Sequence, residues 1–220
     1  MWLLKLLNGD FEHKGHDLSV YFLILSNLVT IFLAVVQQWN FFTLLWVYWF
    51  QSVTIGIFQF IKIWRLKKFS TENFEINNQS VNPTEETKRK TAVFFAIHYG
   101  GFHFFYLIFI LVMSKPSQSL SLVDVFLLAF GAVMFFINHL FSYNYNRVED
   151  EKKKKNIGSM MFFPYIRIVP MHLTIIFAGN AIEQGSTITG LMVLFLLLKT
   201  AADAIMHWIE HRKPKETLNQ

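Results

Sequence analysis

The last apolar segment of the chain carries side chains that can exchange protons and hold ions. Lys199, Asp203 and His207 follow one another at intervals of four in the stretch KTAADAIMHWIEHRK. Side chains spaced by four lie on one side of a helix, so these three are predicted to form a polar stripe. An ionised group inside a bilayer is costly unless it is paired, and we therefore expect an ion pair between Lys199 and Asp203.

Histidines on several apolar segments indicate a site for a divalent metal. His207 and His211 have the H-x-x-x-H spacing that brings two imidazoles to one face of a helix. Imidazole together with carboxylate suits zinc, iron or manganese. The predicted metal ligands are His98, His139, His172, Asp203 and His207.

An arginine lies between two prolines in the stretch FFPYIRIVPMH. Pro164 and Pro170 each remove a backbone hydrogen bond and tend to kink a helix, and Arg167 falls between them. Irregular backbone at membrane depth is tolerated only where protein or a water-filled cavity covers it. Arg167 is therefore predicted to bind the carboxylate or headgroup of a substrate, and the alternative is a contact with phospholipid phosphate at the leaflet edge.

The composition indicates a membrane protein. Of the 220 residues, 53% are hydrophobic and 16% are charged, whereas soluble domains average about 25% charged residues. The chain has no Cys, which excludes disulfides, thiolate ligands and cysteine nucleophiles. The net charge of +5 comes from Lys and Arg between the apolar segments. Charge in that position indicates how the protein is oriented in the membrane, and no nucleic-acid partner is expected.

Six apolar segments are long enough to cross a bilayer as helices. Because they are continuous rather than alternating, they predict helices and not a barrel. We expect an all-α, polytopic membrane helix bundle with six transmembrane helices, forming one integral membrane domain over residues 1–220. The predicted spans are residues 17–36, 40–64, 91–113, 120–143, 162–180 and 186–208.

Positive charge predicts the orientation of these spans. All but four of the 20 Lys and Arg fall in the termini and in the stretches 65–90 and 144–161. If each of the six predicted segments crosses the bilayer, these stretches and both termini lie on the same side of it. Both termini are therefore predicted to be cytoplasmic, in the cell membrane, where the basic stretches meet membrane lipids. The stretch 70–90 is polar and has little aliphatic bulk, and we expect it to be a mobile loop.

Polar and small residues in the second and third spans are expected to join helices. Gln51, Ser52 and Gln59 are predicted to act in interhelical packing, as small and amide side chains often do in membranes. Gly100 and Gly101 are expected to mark a close helix approach that brings His98 to a neighbour.

Four stretches together resemble a family of bacterial multi-pass membrane proteins that is known only as a domain of unknown function. They are YWFQSVTIGIFQ, HYGGFHFF, FFPYIRIVPMH and KTAADAIMHW. The resemblance covers nearly the whole chain and implies a bacterial inner-membrane location, but it implies no activity. In type of site alone, the H-x-x-x-H pair is distantly similar to the membrane hydrolases that include alkaline ceramidases and adiponectin receptors.

Our first functional hypothesis is a metal-dependent membrane hydrolase acting on a lipid-like substrate. A bound cation would lower the pKa of a water molecule, Lys199 and Asp203 would be catalytic, and Arg167 would bind the substrate.

Three alternatives remain open at this point. A proton-coupled carrier of a small anion would relay protons through Lys199 and Asp203. A redox protein would hold haem between axial histidines, with His103 opposite His172 and His139 opposite His207. In a scaffold protein, the polar groups would only join helices.

Overall fold

The chain folds into a bundle of apolar helices. A computed structural model describes residues 15–113, 122–152, 154–183 and 188–211. Within these ranges the helices are α1 (Gly15–Val36), α2 (Phe41–Trp64), α3 (Glu85–Met113), α4 (Leu122–Lys152), α5 (Ile157–Phe162), a 3-10 helix (Phe163–Arg167), α6 (Ile168–Glu183) and α7 (Ile188–His211). The described part of every predicted span lies in helix, so the prediction of a helical protein is confirmed.

Within the described part of the chain, four helical stretches have the length and hydropathy to cross a membrane. They are Phe41–Trp64, Glu85–Met113, Ile157–Ala178 and Ile188–Met206, and a shorter apolar stretch covers Asn27–Val36 in α1. Large apolar side chains such as Ile97, Phe105 and Val112 are exposed on these helices. Outward-facing apolar side chains of this kind are expected where a helix meets lipid.

The central helix is α2, which packs against α3 on one side and α4 on another. It begins sharply because the Oδ1 of Asn40 accepts hydrogen bonds from the backbone N–H groups of Phe42 (2.8 Å) and Thr43 (3.3 Å). These are donors that the first turn of a helix cannot satisfy internally. On the far side of the bundle, α7 packs against α1 and α6.

The stretch between α2 and α3 is structured, so the prediction of a mobile loop was wrong. Its strand β1 (Phe69–Ser70) pairs in parallel with β4 (Lys155–Asn156), and β2 (Glu75–Ile76) pairs with β3 (Gln79–Ser80) in a hairpin. The hairpin turn contains Asn77 and Asn78, both with positive φ (54° and 60°), as a type I′ turn requires. Strands of two residues leave no periodicity that a sequence reading detects.

A buried aromatic side chain anchors this loop to the bundle. Phe74 is buried, and a Cβ placed on Gly158 of α5 would lie 2.8 Å from its ring. The side-chain amide of Asn156 also donates to the backbone oxygen of Glu72 at 2.8 Å. The absence of a side chain at Gly158 is therefore what lets the loop settle on α5.

The close approach of α2 to α3 occurs at a different glycine from those predicted. A Cβ on Gly56 of α2 would lie 2.5 Å from the ring of Tyr99, closer than atoms tolerate. A Cβ on Gly100 or Gly101 would meet nothing within 4 Å. The expectation that Gly100 and Gly101 mark a helix contact was wrong, because these two positions face open space.

Candidate functional site

Three polar side chains are enclosed between α2 and α3. The Oγ of Ser52 lies 2.8 Å from the Nε2 of His103 and 2.8 Å from the hydroxyl of Tyr99. That hydroxyl also donates to the backbone oxygen of Ser52 at 3.0 Å. Ser52, Tyr99 and His103 are only 3%, 3% and 4% exposed, so the cluster is sealed from bulk solvent.

The hydrogen bonds of His103 define its tautomer. Its Nδ1 lies 2.8 Å from the backbone oxygen of Tyr99, which can only accept, so Nδ1 carries the hydrogen. In the neutral ring that such burial favours, Nε2 is then an acceptor, and the Ser52 hydroxyl donates to it. The Tyr99 hydroxyl in turn donates toward Ser52. The Ser52 hydroxyl therefore donates to His103, and the one hydrogen of the Tyr99 hydroxyl is shared between the Oγ and the backbone oxygen of Ser52.

Helix geometry sets this arrangement. Tyr99 and His103 are one turn apart on α3, and their rings stack with centroids 4.4 Å apart. The indole N–H of Trp49 on α2 donates to the backbone oxygen of His103 at 2.8 Å. This hydrogen bond fixes the position of α2 along the axis of α3. A serine hydroxyl bonded to the acceptor nitrogen of an oriented histidine is the arrangement that activates a serine nucleophile.

An apolar cavity lies beside His103, and Ser52 is not among the residues that line it. It has a volume of ≈ 430 Å³, and its lining includes both Tyr99 and His103. Ile57 and Phe104, which also line it, are exposed side chains on the outer faces of α2 and α3. The cavity is therefore open toward the face of the bundle that lipid would cover, and its polar end lies at His103.

Arg167 lies in the irregular segment that its flanking prolines predicted. It is the last residue of the 3-10 helix, and its backbone oxygen accepts a hydrogen bond from the hydroxyl of Tyr48 at 2.9 Å. The Nε of Arg167 is buried and has no hydrogen-bond partner among the described residues.

Replacing Tyr48 by Phe is expected to lower the free energy of unfolding by about 1 kcal/mol, because the Arg167 carbonyl loses its donor. A thermal melt of the purified protein in detergent measures the change. The matched control is Tyr145→Phe, since Tyr145 is 77% exposed on α4 and should melt as wild type does. Equal melting of both variants would show that this hydrogen bond does not stabilise the 3-10 segment.

The predicted ion pair on the last helix is confirmed. The Nζ of Lys199 lies 2.6 Å from the Oδ2 of Asp203, and it also donates to the Oδ1 of Asn27 on α1 at 3.2 Å. The two side chains are 26% and 15% exposed. The pair therefore ties α7 to α1, while a catalytic role for Lys199 and Asp203 stays a prediction.

The histidines predicted as metal ligands have separate partners. His98 contacts the hydroxyl of Tyr165 at 2.9 Å, and His172 lies 3.3 Å from that of Tyr106. His139 donates to a backbone oxygen of its own helix. Among the described residues no group of three or more His, Cys, Asp or Glu could hold a metal.

The side chain of His207 lies outside the described part of the chain, so the full predicted ligand set stays a prediction. For the predicted haem pair, both ring nitrogens of His103 are already hydrogen-bonded. Coordination of iron by His103 would have to break one of these bonds.

Sequence reasoning named His103 but missed its partners. Ser52 was expected to serve in packing, and Tyr99 was not singled out. The one signal available was depth, because Ser52 and His103 both fall near the middle of their predicted spans. Their spacing of 51 residues along the chain carries no pattern that a motif search would find.

Four apolar helices long enough to span a bilayer, with a polar cluster and an apolar cavity between two of them, define a helical membrane-embedded protein. Residues 11–219 match the family of unknown function DUF6498, and the chain belongs to that family. Membership of an uncharacterised family, expected from the sequence, is thus confirmed. No curated protein and no solved structure matches the chain, so the similarity to ceramidases gains no support.

Proposed function

We propose that this protein is a membrane-embedded hydrolase of lipid-like esters, with Ser52 as nucleophile and His103 as general base. The observation that carries the proposal is the 2.8 Å contact between the Oγ of Ser52 and the acceptor Nε2 of His103, beside an apolar cavity. Covalent catalysis requires that the nucleophile lie within hydrogen-bonding distance of an oriented base.

The reaction would proceed in two steps. The Oγ of Ser52 attacks the ester carbonyl while His103 accepts its proton, and the C–O bond to the leaving alcohol breaks as His103 returns that proton. Water then attacks the acyl-serine by the same route and releases the acid. The Tyr99 hydroxyl, 2.8 Å from the Oγ, is the nearest donor for the carbonyl oxygen as it gains charge.

The substrate class follows from the surroundings of the pair. The cavity is lined mainly by apolar side chains and is open beside Ile57 and Phe104, which suits an acyl chain entering from the membrane. Arg167 keeps the role predicted for it, because an unpartnered guanidinium N–H favours an anionic group on the substrate. The predicted divalent metal has no role in this mechanism.

A fluorophosphonate probe tests the nucleophile. If Ser52 is activated, its Oγ forms a bond to phosphorus, the P–F bond breaks, and fluoride leaves as His103 accepts the proton. We expect a mass increase that peptide mapping assigns to Ser52 and that is absent in Ser52→Ala. In His103→Gln the labelling rate should fall on the order of a thousandfold.

Ser159→Ala is the matched control, because Ser159 is exposed at the start of α5 and should leave labelling unchanged. Melting curves show whether each variant is folded. Folded wild-type protein that takes no label at Ser52, or a Ser52→Ala variant labelled as fast as wild type, would refute the proposal. Release of free acid from lipid esters by wild-type protein then identifies the substrate.

A proton-coupled carrier is the second candidate, because Lys199 and Asp203 form an ion pair inside an apolar helix. Under that proposal, substrate flux into liposomes depends on a proton gradient and disappears in Asp203→Asn. Flux that persists in this variant would exclude a relay through Asp203.

We also propose that the protein spans the cell membrane with both termini in the cytoplasm. The distribution of Lys and Arg supports this orientation, since only Lys62, Lys115, Arg167 and Lys199 lie outside the segments assigned to that side. Reporter fusions at either terminus test the assignment directly.

A further inference from the structure

Five cationic side chains converge on one small cavity at the end of α2. They come from three separate parts of the chain, namely the end of α2 with the residues after it, the late part of α4, and strand β4. The cationic residues lining the cavity are Lys62, Arg65, Lys67, Arg147 and Lys155.

Specific contacts hold these three segments together. Strand pairing sets Phe69 opposite Lys155, which brings β4 beside the chain that leaves α2. Between α2 and α4, an Nη1 of Arg65 donates to the hydroxyl of Tyr143, which also lines the cavity, at 3.3 Å. The cations are therefore positioned by the fold rather than scattered over a loop.

The depth of the cavity corresponds to lipid headgroups. Lys62 lies in the last turn of α2, one of the helices long enough to span a bilayer. Trp64, two residues further on, is 42% exposed, and Arg89 lies over its ring at 5.9 Å. An exposed Trp at the end of an apolar helix, next to cationic side chains, is typical of the membrane interface.

The charge and size of the cavity select its ligand. Its lining carries the five cationic side chains, and its volume of ≈ 30 Å³ admits a compact group rather than a whole molecule. Clustered Arg and Lys bind phosphate oxygens strongly, and Arg does so through two parallel hydrogen bonds. We propose that this cavity binds a phosphate group, and its depth assigns that phosphate to an anionic phospholipid headgroup.

Lipid retention by the full-length protein tests the proposal. The protein is reconstituted in nanodiscs of phosphatidylcholine with phosphatidylglycerol, extracted into neutral detergent, and its retained lipids are counted by native mass spectrometry. We expect wild-type protein to retain phosphatidylglycerol selectively. In Arg65→Gln/Arg147→Gln, occupancy should fall roughly thirtyfold, because each interfacial cation contributes about 1 kcal/mol.

The matched control removes the same charge outside the cavity. Lys68 and Lys154 are exposed neighbours that do not line it, so Lys68→Gln/Lys154→Gln should retain phosphatidylglycerol as wild type does. If both double variants lost phosphatidylglycerol equally, the lipid would be held by the overall positive charge of the surface and not by the cavity, and the proposal would be overturned. Melting curves exclude unfolding as the cause.

A second arm separates the two sources of phosphate. Wild-type protein and Arg65→Gln/Arg147→Gln in neutral detergent are each melted with and without inorganic phosphate. If inorganic phosphate stabilises the protein through Arg65 while phosphatidylglycerol is not retained, the ligand is a soluble phosphate and the assignment to lipid is wrong.

Discussion

Gly56→Ala is expected to destabilise the protein by about 1–3 kcal/mol, the usual cost of forcing an extra carbon into a packed interior. The added Cβ would lie 2.5 Å from the Cε1 and 2.8 Å from the Cδ1 of Tyr99. The obstacle is a buried ring that is tied to Ser52 through its hydroxyl. The ring has to shift, and the hydrogen bonds of the cluster shift with it.

Gly101→Ala is the matched control for this prediction. It makes the same chemical change on the facing helix, at a position where a Cβ meets nothing within 4 Å. Its melting temperature should stay level or rise slightly, since Ala is favoured over Gly inside helices. Equal destabilisation by both substitutions would mean that helix flexibility, and not the Tyr99 contact, explains the effect.

The same pair of variants tests the candidate site. Gly56→Ala displaces Tyr99, so we expect fluorophosphonate labelling of Ser52 to slow even at temperatures where the variant is folded. Gly101→Ala, at a position that does not line the cavity, should label as wild type does. A folded Gly56→Ala variant with unchanged labelling would show that the position of Tyr99 is irrelevant to the reactivity of Ser52.

Asp203→Asn is expected to cost about 2–4 kcal/mol, because it leaves the ammonium of Lys199 largely buried without a charged partner. Asn27 continues to accept one hydrogen bond from Lys199 but does not neutralise it. Replacing both partners, as in Lys199→Met/Asp203→Asn, removes the unpaired charge and should recover most of the loss. Thermal melts of the three proteins in one detergent measure these differences.

An ion pair elsewhere in the chain supplies the control. Lys90 and Glu86 on α3 have the same spacing of four and a similar separation, 2.7 Å against 2.6 Å, but both side chains are about two-thirds exposed or more. Glu86→Gln should therefore change the melting temperature little. If Asp203→Asn were tolerated as well as Glu86→Gln, the Lys199 charge would have to be hydrated.

The parts of the structure that the sequence predicted are those that depend on local pattern. Long apolar runs predicted where the helices lie, and the spacing of four predicted the pair between Lys199 and Asp203. Two prolines predicted an irregular backbone at Arg167. Each of these features is determined within one continuous stretch of the chain.

The parts that were missed depend on how separate helices face each other. Ser52 meets His103 because of the rotation of α2 against α3, which hydrophobicity alone leaves undetermined along spans that are apolar on most sides. The glycine contact was assigned to the wrong helix for the same reason, since only the opposing ring of Tyr99 distinguishes Gly56 from Gly100. The loop before α3 is fixed by contacts with a distant segment of the chain, among them Phe74 against Gly158 and the pairing of β1 with β4.

The short pairing of β1 with β4 imposes a parity rule on the membrane topology. The two strands are hydrogen-bonded neighbours, so Ser70 and Lys155 must lie on the same side of the bilayer. An even number of crossings therefore separates them. If α3 crosses the bilayer, α4 must cross back, and its 31 residues, about 46 Å of helix, are ample for that return.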